Sequence, residues 1–142
     1  MANPLEKKPV FDGTEGEIIL ADDAKKIKDV HQKKKGEISR GGSDNYVEAE
    51  FFGIKKFYDL IKPYGDQCVG FRVYHGNTWE NHKGKDVEVT QEGKGKRTAR
   101  VVIVPVDQFG NDLRPAIGSK DPNGSALAKG PLCPTSCQEN SN

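Results

Sequence analysis

The chain has 142 residues, of which 34% are hydrophobic and 30% are charged, a composition that suits one domain with a small core. Its 22 basic and 21 acidic residues leave a net charge of +1, which argues against a dedicated nucleic-acid-binding protein because such proteins carry a clear basic excess. No stretch of sequence approaches the roughly 18 consecutive apolar residues of a membrane-spanning helix.

The N-terminal part of the chain predicts an extended arm followed by a helix. Residues 1–17 are poor in apolar side chains, with Phe11 as an anchor, and residues 21–35 form the predicted helix. Acidic residues fall in its first turn and lysines in its last, which complements the helix dipole, and Gly36 is its predicted end. The positions at helical spacing are Leu20, Ala24, Ile27, Val30 and His31, and we expect His31 to be partly buried.

The middle of the chain predicts a second helix and then a strand. An apolar stripe over 54–61 indicates the helix, which Pro63 and the next two residues end. Residues 68–75 predict a strand, because Val69, Phe71 and Val73 alternate with their neighbours.

The following segment predicts two further strands. Residues 77–85 read as a polar loop that holds the single tryptophan, Trp79. The alternation over 86–90 indicates a short strand. Residues 98–106 predict a strong strand that is apolar on both faces, which favours a central position in the sheet.

The order of these elements predicts an α+β fold. It consists of two helices packed on a small, mainly antiparallel sheet of three to four strands, with extended arms at both ends. The predicted boundaries are an N-terminal arm over 1–17, a core domain over 18–113 and a tail over 114–142. The tail is assigned because the chain becomes rich in Pro, Gly and Ser after the core.

Two glycine-bearing segments resemble binding motifs but each lacks a required residue. Residues 93–98 carry Arg97 where a phosphate loop needs Ser or Thr, so we interpret them as a lysine-rich hairpin turn. Residues 107–112 read D-x-x-G-N-D but lack the terminal Glu of an EF-hand loop, which favours a turn stabilised by Asx hydrogen bonds. The basic run that ends at Arg100 is interpreted as solvated surface.

Three cysteines are present, and two of them are spaced C-x3-C. A structural zinc site needs a second pair of ligands, so Cys133 and Cys137 do not predict a metal site. Free thiols are the favoured interpretation, and a disulfide between Cys133 and Cys137 is the alternative in an oxidising compartment. The histidines form no triad with an evident nucleophile, and neither a catalytic residue nor a cofactor is predicted.

Three stretches of the chain resemble a group of short uncharacterised proteins from Bacteroidota bacteria. They are the strand segment C-V-G-F-R-V-Y-H-G at 68–76, the segment V-V-I-V-P-V-D-Q-F-G-N-D-L at 101–113, and the closing C-P-T-S-C at 133–137. The helix before Cys68 also fits this group. The resemblance implies no activity that could be transferred.

The sequence therefore predicts a non-enzymatic structural or self-assembly protein, a subunit of a filament, tube or other homo-oligomer whose arms dock on neighbouring copies. Its expected partner is itself. The predicted interface residues are Phe11, Tyr74, Trp79, Phe109 and Leu132. The alternative is a small-ligand- or metal-binding module that uses the Tyr74/Trp79 surface or the cysteines. The N-terminus lacks the apolar run of a signal peptide, which favours the cytoplasm, with a surface or extracellular location by a non-classical route as the alternative.

Overall fold

The computed structural model describes residues 8–39, 42, 44–84, 86–114 and 126–133, and it confirms the α+β class. In chain order the elements are helix α1 (Ala21–Ser39), strands β1 (Asp44–Asn45) and β2 (Ala49–Glu50), helix α2 (Ile54–Ile61), a 3₁₀ turn (Gly65–Gln67), and strands β3 (Cys68–Lys83), β4 (Asp86–Val89), β5 (Lys96–Asp107) and β6 (Leu132–Cys133).

The strands form a four-stranded sheet and a separate two-stranded sheet. The larger sheet has the order β1-β5-β3-β4, and β2 pairs antiparallel with β6. Strand β1 runs parallel to β5, whereas β3 and β4 form an antiparallel hairpin. Strand β5 has a neighbour on each side, as its doubly apolar sequence predicts.

Two element boundaries differ from the sequence prediction. Helix α1 continues through Gly36 to Ser39. Strand β3 continues to Lys83, so the loop predicted over 77–85 is wrong for most of its length. The strand continues through these polar residues because one of its faces, with Glu80 at its centre, meets charged partners inside the protein. Gly84, with a φ of 59°, begins the turn into β4.

The chain divides into two compact units. One contains Met1–Glu17, Gly53–Tyr74 and Val102–Ala128, and the other contains Ile18–Phe52, His75–Val101 and Lys129–Asn142. The predicted division into arm, core and tail at 1–17, 18–113 and 114–142 stays a prediction. The described parts of both predicted arms are bonded to their own chain, since Phe11 N donates to Gln108 O at 3.0 Å and Leu127 N to Ile103 O at 2.8 Å.

The first unit has a small apolar core. Helix α2 contacts β3 through Phe57 and Phe71, whose rings meet edge to face with centroids 5.0 Å apart. Leu60, Ile103 and Val106 are 4–6% exposed. Burial of apolar area thus holds this unit together.

The second unit buries polar side chains in its interior. Glu80 and Thr98 are fully buried, beside Leu132 at 2% exposure. Asn45 donates through Nδ2 to Thr98 Oγ1 at 2.8 Å and to Glu80 O at 3.0 Å, so β1 is tied to β5 and β3. Within the described residues, every buried side-chain nitrogen and oxygen has a hydrogen-bond partner.

Candidate functional site

Helix α1 carries an apolar stripe that is exposed to solvent. Leu20, Ile27 and Val30 are 73%, 66% and 74% exposed. Ile27 and Val30 are three residues apart and therefore lie on one face of the helix, and Leu20 lies seven residues before Ile27, immediately before the first residue of the helix. Ala24, three residues before Ile27, borders this stripe and is half-buried, whereas His31, expected to be partly buried, is exposed.

Charged residues stand at both ends of this stripe. Asp23 lies four residues before Ile27, and Lys34 lies four residues after Val30, so both share the row of the apolar side chains. Among the described residues neither has an ion-pair partner. The stripe, from here on the α1 stripe, is thus acidic at its start, apolar in its middle and basic at its end.

Three of the predicted interface residues, Phe11, Tyr74 and Phe109, lie in the first unit, in or near the turn after β5. Phe11 is half-buried, and its ring lies against Gly110. Tyr74 is 42% exposed, and its hydroxyl donates to Asp112 Oδ2 at 2.5 Å. Arg72 Nη1 donates to the other oxygen of the same carboxylate at 2.6 Å, so Asp112 orients both exposed side chains.

The other predicted interface residues are half-buried or buried. Trp79 is half-buried in the second unit, so Tyr74 and Trp79 belong to different units. Phe109 is half-buried within its turn. Leu132 is 2% exposed and pairs with Glu50 across the β2–β6 ladder. Its side chain is therefore a core contact and is not available to a partner.

Both glycine-bearing segments contain turns, but the prediction of a hairpin turn over 93–98 is wrong, because β3 lies between β4 and β5 in the sheet. Asp107 Oδ1 accepts hydrogen bonds from Phe109 N and Asn111 N, both at 2.9 Å, which is the expected Asx pattern. Lys94 N donates to Gln91 O at 3.0 Å in the other turn, which leads into strand β5. A phosphate loop would lead into a helix instead.

The second unit contains a buried ion-pair cluster that the sequence analysis missed. Arg100 lies between two glutamates, and it donates from Nε and Nη2 to the two oxygens of Glu80, both at 2.8 Å. Its Nη1 donates to Glu50 Oε2 at 2.9 Å. The side chains of Arg100, Glu50 and Glu80 are only 11%, 4% and 0% exposed. This bidentate geometry is the strong form of an ion pair.

Backbone groups complete the cluster around Glu50. Its carboxylate accepts from Val101 N at 3.0 Å and from Gly130 N at 2.8 Å. Arg100 Nη1 also donates to Gly130 O at 2.7 Å. The segment before β6 is therefore held to β2 and β5 by charged hydrogen bonds, which exceed neutral ones in strength.

Glu80 remains ionised in this buried position. Burial alone would raise its pKa, but hydrogen bonds from Arg100, Thr78 and His82 outweigh burial and lower the pKa to about 2. The bond with His82 Nε2 measures 2.9 Å. All polar atoms of the cluster are committed to one another, which indicates a structural role.

Arg100 was assigned to a solvated basic run, and this assignment is wrong because the guanidinium is buried between carboxylates. Its position inside the apolar strand predicted over 98–106 was the available signal, since an alternating strand places it on the same face as Thr98 and Val102. Its partners lie 20 and 50 residues away, and local sequence spacing does not indicate such distant pairs.

Two of the three cysteines lie within the described residues. Cys68 is a free thiol, and Cys133 is disulfide-bonded. Cys137 lies outside the described residues, so its pairing stays a prediction. Within the described ranges, no group of three or more His, Cys, Asp or Glu side chains is placed to hold a metal ion.

No family model, curated protein or solved structure matches this chain. The resemblance to Bacteroidota proteins stays a prediction. Of the helices in the described part of the chain, none has the length and apolar character needed to cross a bilayer. The surfaces and contacts above are therefore the basis for a functional proposal.

Proposed function

We propose that this chain is a non-enzymatic, self-associating structural protein, and that the α1 stripe is its contact with a second copy. The exposure of Leu20, Ile27 and Val30 carries this proposal. An amphipathic helix normally turns its apolar stripe toward the core. When the apolar stripe faces water instead, a partner that covers it lowers the free energy by burying apolar surface.

The charges at the ends of the α1 stripe favour another α1 helix as that partner. Asp23 and Lys34 are symmetric about the point between Lys28 and Asp29, and so are Ile27 and Val30. In an antiparallel pair, Ile27 of one copy faces Val30 of the other, and Asp23 faces Lys34. A twofold axis forms each of these contacts twice.

A filament or tube needs a second contact surface in addition to this twofold one. Helix α2 offers such a surface in the first unit, where Ile54 and Tyr58 are 67% and 62% exposed. These residues lie four apart, on one face of the helix. The helices thus replace the terminal arms as the proposed assembly surfaces.

The proposed compartment rests on the disulfide bond of Cys133. A disulfide bond is typical of proteins that fold in an oxidising compartment. Its presence supports the surface or extracellular location over the cytoplasmic one.

Charge exchange tests the antiparallel pairing. Asp23→Lys and Lys34→Asp should each weaken the dimer, because each places like charges opposite one another, and the double variant should restore it. Sedimentation equilibrium over a range of concentrations measures the dissociation constant.

A matched control exists on the same helix. Asp22→Lys and Lys33→Asp make the same charge changes one position away, off the stripe, and should leave the dissociation constant unchanged. A wild-type protein that stays monomeric at millimolar concentration would refute self-association. A double variant as weak as the single ones would refute the antiparallel register.

A further inference from the structure

The second unit contains a groove of 380 Å³ lined by the C-terminal half of α1, the segment at β2, and strands β3 and β5. We call it the α1 groove. The polar side chains that matter here are His31, Lys35, Glu48, Glu50, His75 and Asn77. Its volume falls in the range of about 300–1,000 Å³ that is typical of small-molecule pockets.

The acids of the groove are already engaged. Glu48 accepts from the Tyr46 hydroxyl at 3.0 Å. Glu50 accepts from the Arg100 guanidinium and from two backbone amides. These bonds compensate both carboxylates from within the protein.

The donors of the groove are free. His31, Lys35, His75 and Asn77 form no hydrogen bond or ion pair within the part of the chain that the structure describes. With neutral imidazoles the lining has no net charge, since Lys35 and Arg100 balance Glu48 and Glu50. Among the two cations of the lining, Arg100 is paired with Glu50 and Glu80, so Lys35 is the one that can pair with a ligand.

We propose that the α1 groove binds a small organic anion, whose carboxylate or phosphate accepts hydrogen bonds from Lys35 and the neighbouring imidazoles. Its apolar part lies against Val47, Ala99 and Val101, which line the same groove. This site uses neither Tyr74, Trp79 nor a cysteine, and it does not depend on self-association. A few placed donors beside apolar walls are the usual composition of such pockets.

Titration of ¹⁵N-labelled protein with benzoate, phenyl phosphate and inorganic phosphate tests the proposal through the amide shifts of Asn77, Ala99 and Val101. Saturable shifts with benzoate identify a carboxylate ligand, and saturable shifts with phenyl phosphate identify a phosphate ligand. Absence of saturation with both overturns the proposal. Inorganic phosphate that binds as tightly as phenyl phosphate overturns the role of the apolar walls.

Lys35→Gln should weaken binding at least tenfold, about the lower limit for a hydrogen bond to a charged group. Lys33→Gln removes a lysine that does not line the groove and should leave the affinity unchanged. Equal losses in both variants indicate non-specific electrostatic attraction and overturn the site. His75→Gln, on a strand instead of the helix, should also weaken binding, and unchanged amide spectra outside the groove establish that each variant is folded.

Discussion

Replacement of Arg100 by methionine removes the guanidinium but keeps most of the volume of the side chain. Glu50 and Glu80 are then left as buried carboxylates without their ion-pair partner. Breaking a buried pair in this way costs about 3–5 kcal/mol of unfolding free energy. The pKa of Glu80 leads to a similar figure, since its fall from 4.5 to about 2 contributes roughly 3 kcal/mol at neutral pH.

The sign of the pH dependence distinguishes this cause from a loss of packing. In the wild-type protein the pKa of Glu80 is lowered, so its contribution is complete above pH 4.5 and is lost as the pH falls toward 2. In Arg100→Met, burial still raises the pKa of Glu80, and only the hydrogen bonds from Thr78 and His82 remain to lower it. The variant should therefore recover stability as the pH is lowered from 7 toward 5, because the buried Glu80 carboxylate takes up a proton.

Urea unfolding, followed by the fluorescence of the single tryptophan, measures both effects. Arg97→Met is the matched control on the same strand, since Arg97 pairs with Asp44 while 54% of its side chain is exposed. Exposed pairs contribute at most about 1 kcal/mol. If the unfolding free energy of Arg100→Met at pH 7 lies within 1 kcal/mol of that of Arg97→Met, the cluster does not stabilise the fold.

Three further predictions concern assembly, packing and oxidation. Ile27→Asn should weaken the dimer roughly 30- to 1,000-fold in sedimentation equilibrium, because each of two side chains, 66% exposed, loses about 1–2 kcal/mol of burial, while Lys33→Asn should not. Gly130→Ala should lower the thermal midpoint by several degrees, because its methyl group would overlap a carbonyl oxygen, whereas Gly70→Ala, with open space around it, should change it little. Thiol titration of the unfolded, unreduced protein should find one reactive group per chain, Cys68, and three would contradict the disulfide.

Local patterns predicted most of the secondary structure. The helix at Ile54–Ile61 follows from its apolar stripe, and the inner position of β5 follows from a run that is apolar on both faces. The loop predicted over 77–85 was wrong because polar residues were assumed to seek water. Glu80 lies instead in a strand, because Arg100 supplies a buried partner for it.

The candidate sites were harder to predict from local sequence patterns. The helical spacing of Leu20, Ile27 and Val30 was visible in the sequence, but whether that stripe meets the core or the solvent was not. Spacing also placed Lys33 and Lys35 in one basic run, although only Lys35 lines the α1 groove. Periodicity defines the faces of a helix, and tertiary contacts decide which face is covered.

The sequence by itself determined the α+β class, both helices, strand β5 and the first half of β3, because each depends on residues a few positions apart. It also determined that the apparent phosphate and calcium motifs are turns, since the required residue is missing from each. Only the tertiary structure decided which polar residues are buried and which apolar ones are exposed. Glu50, Glu80 and Arg100 compensate one another across 20 to 50 residues of chain, and such compensation exists only after the strands have come together.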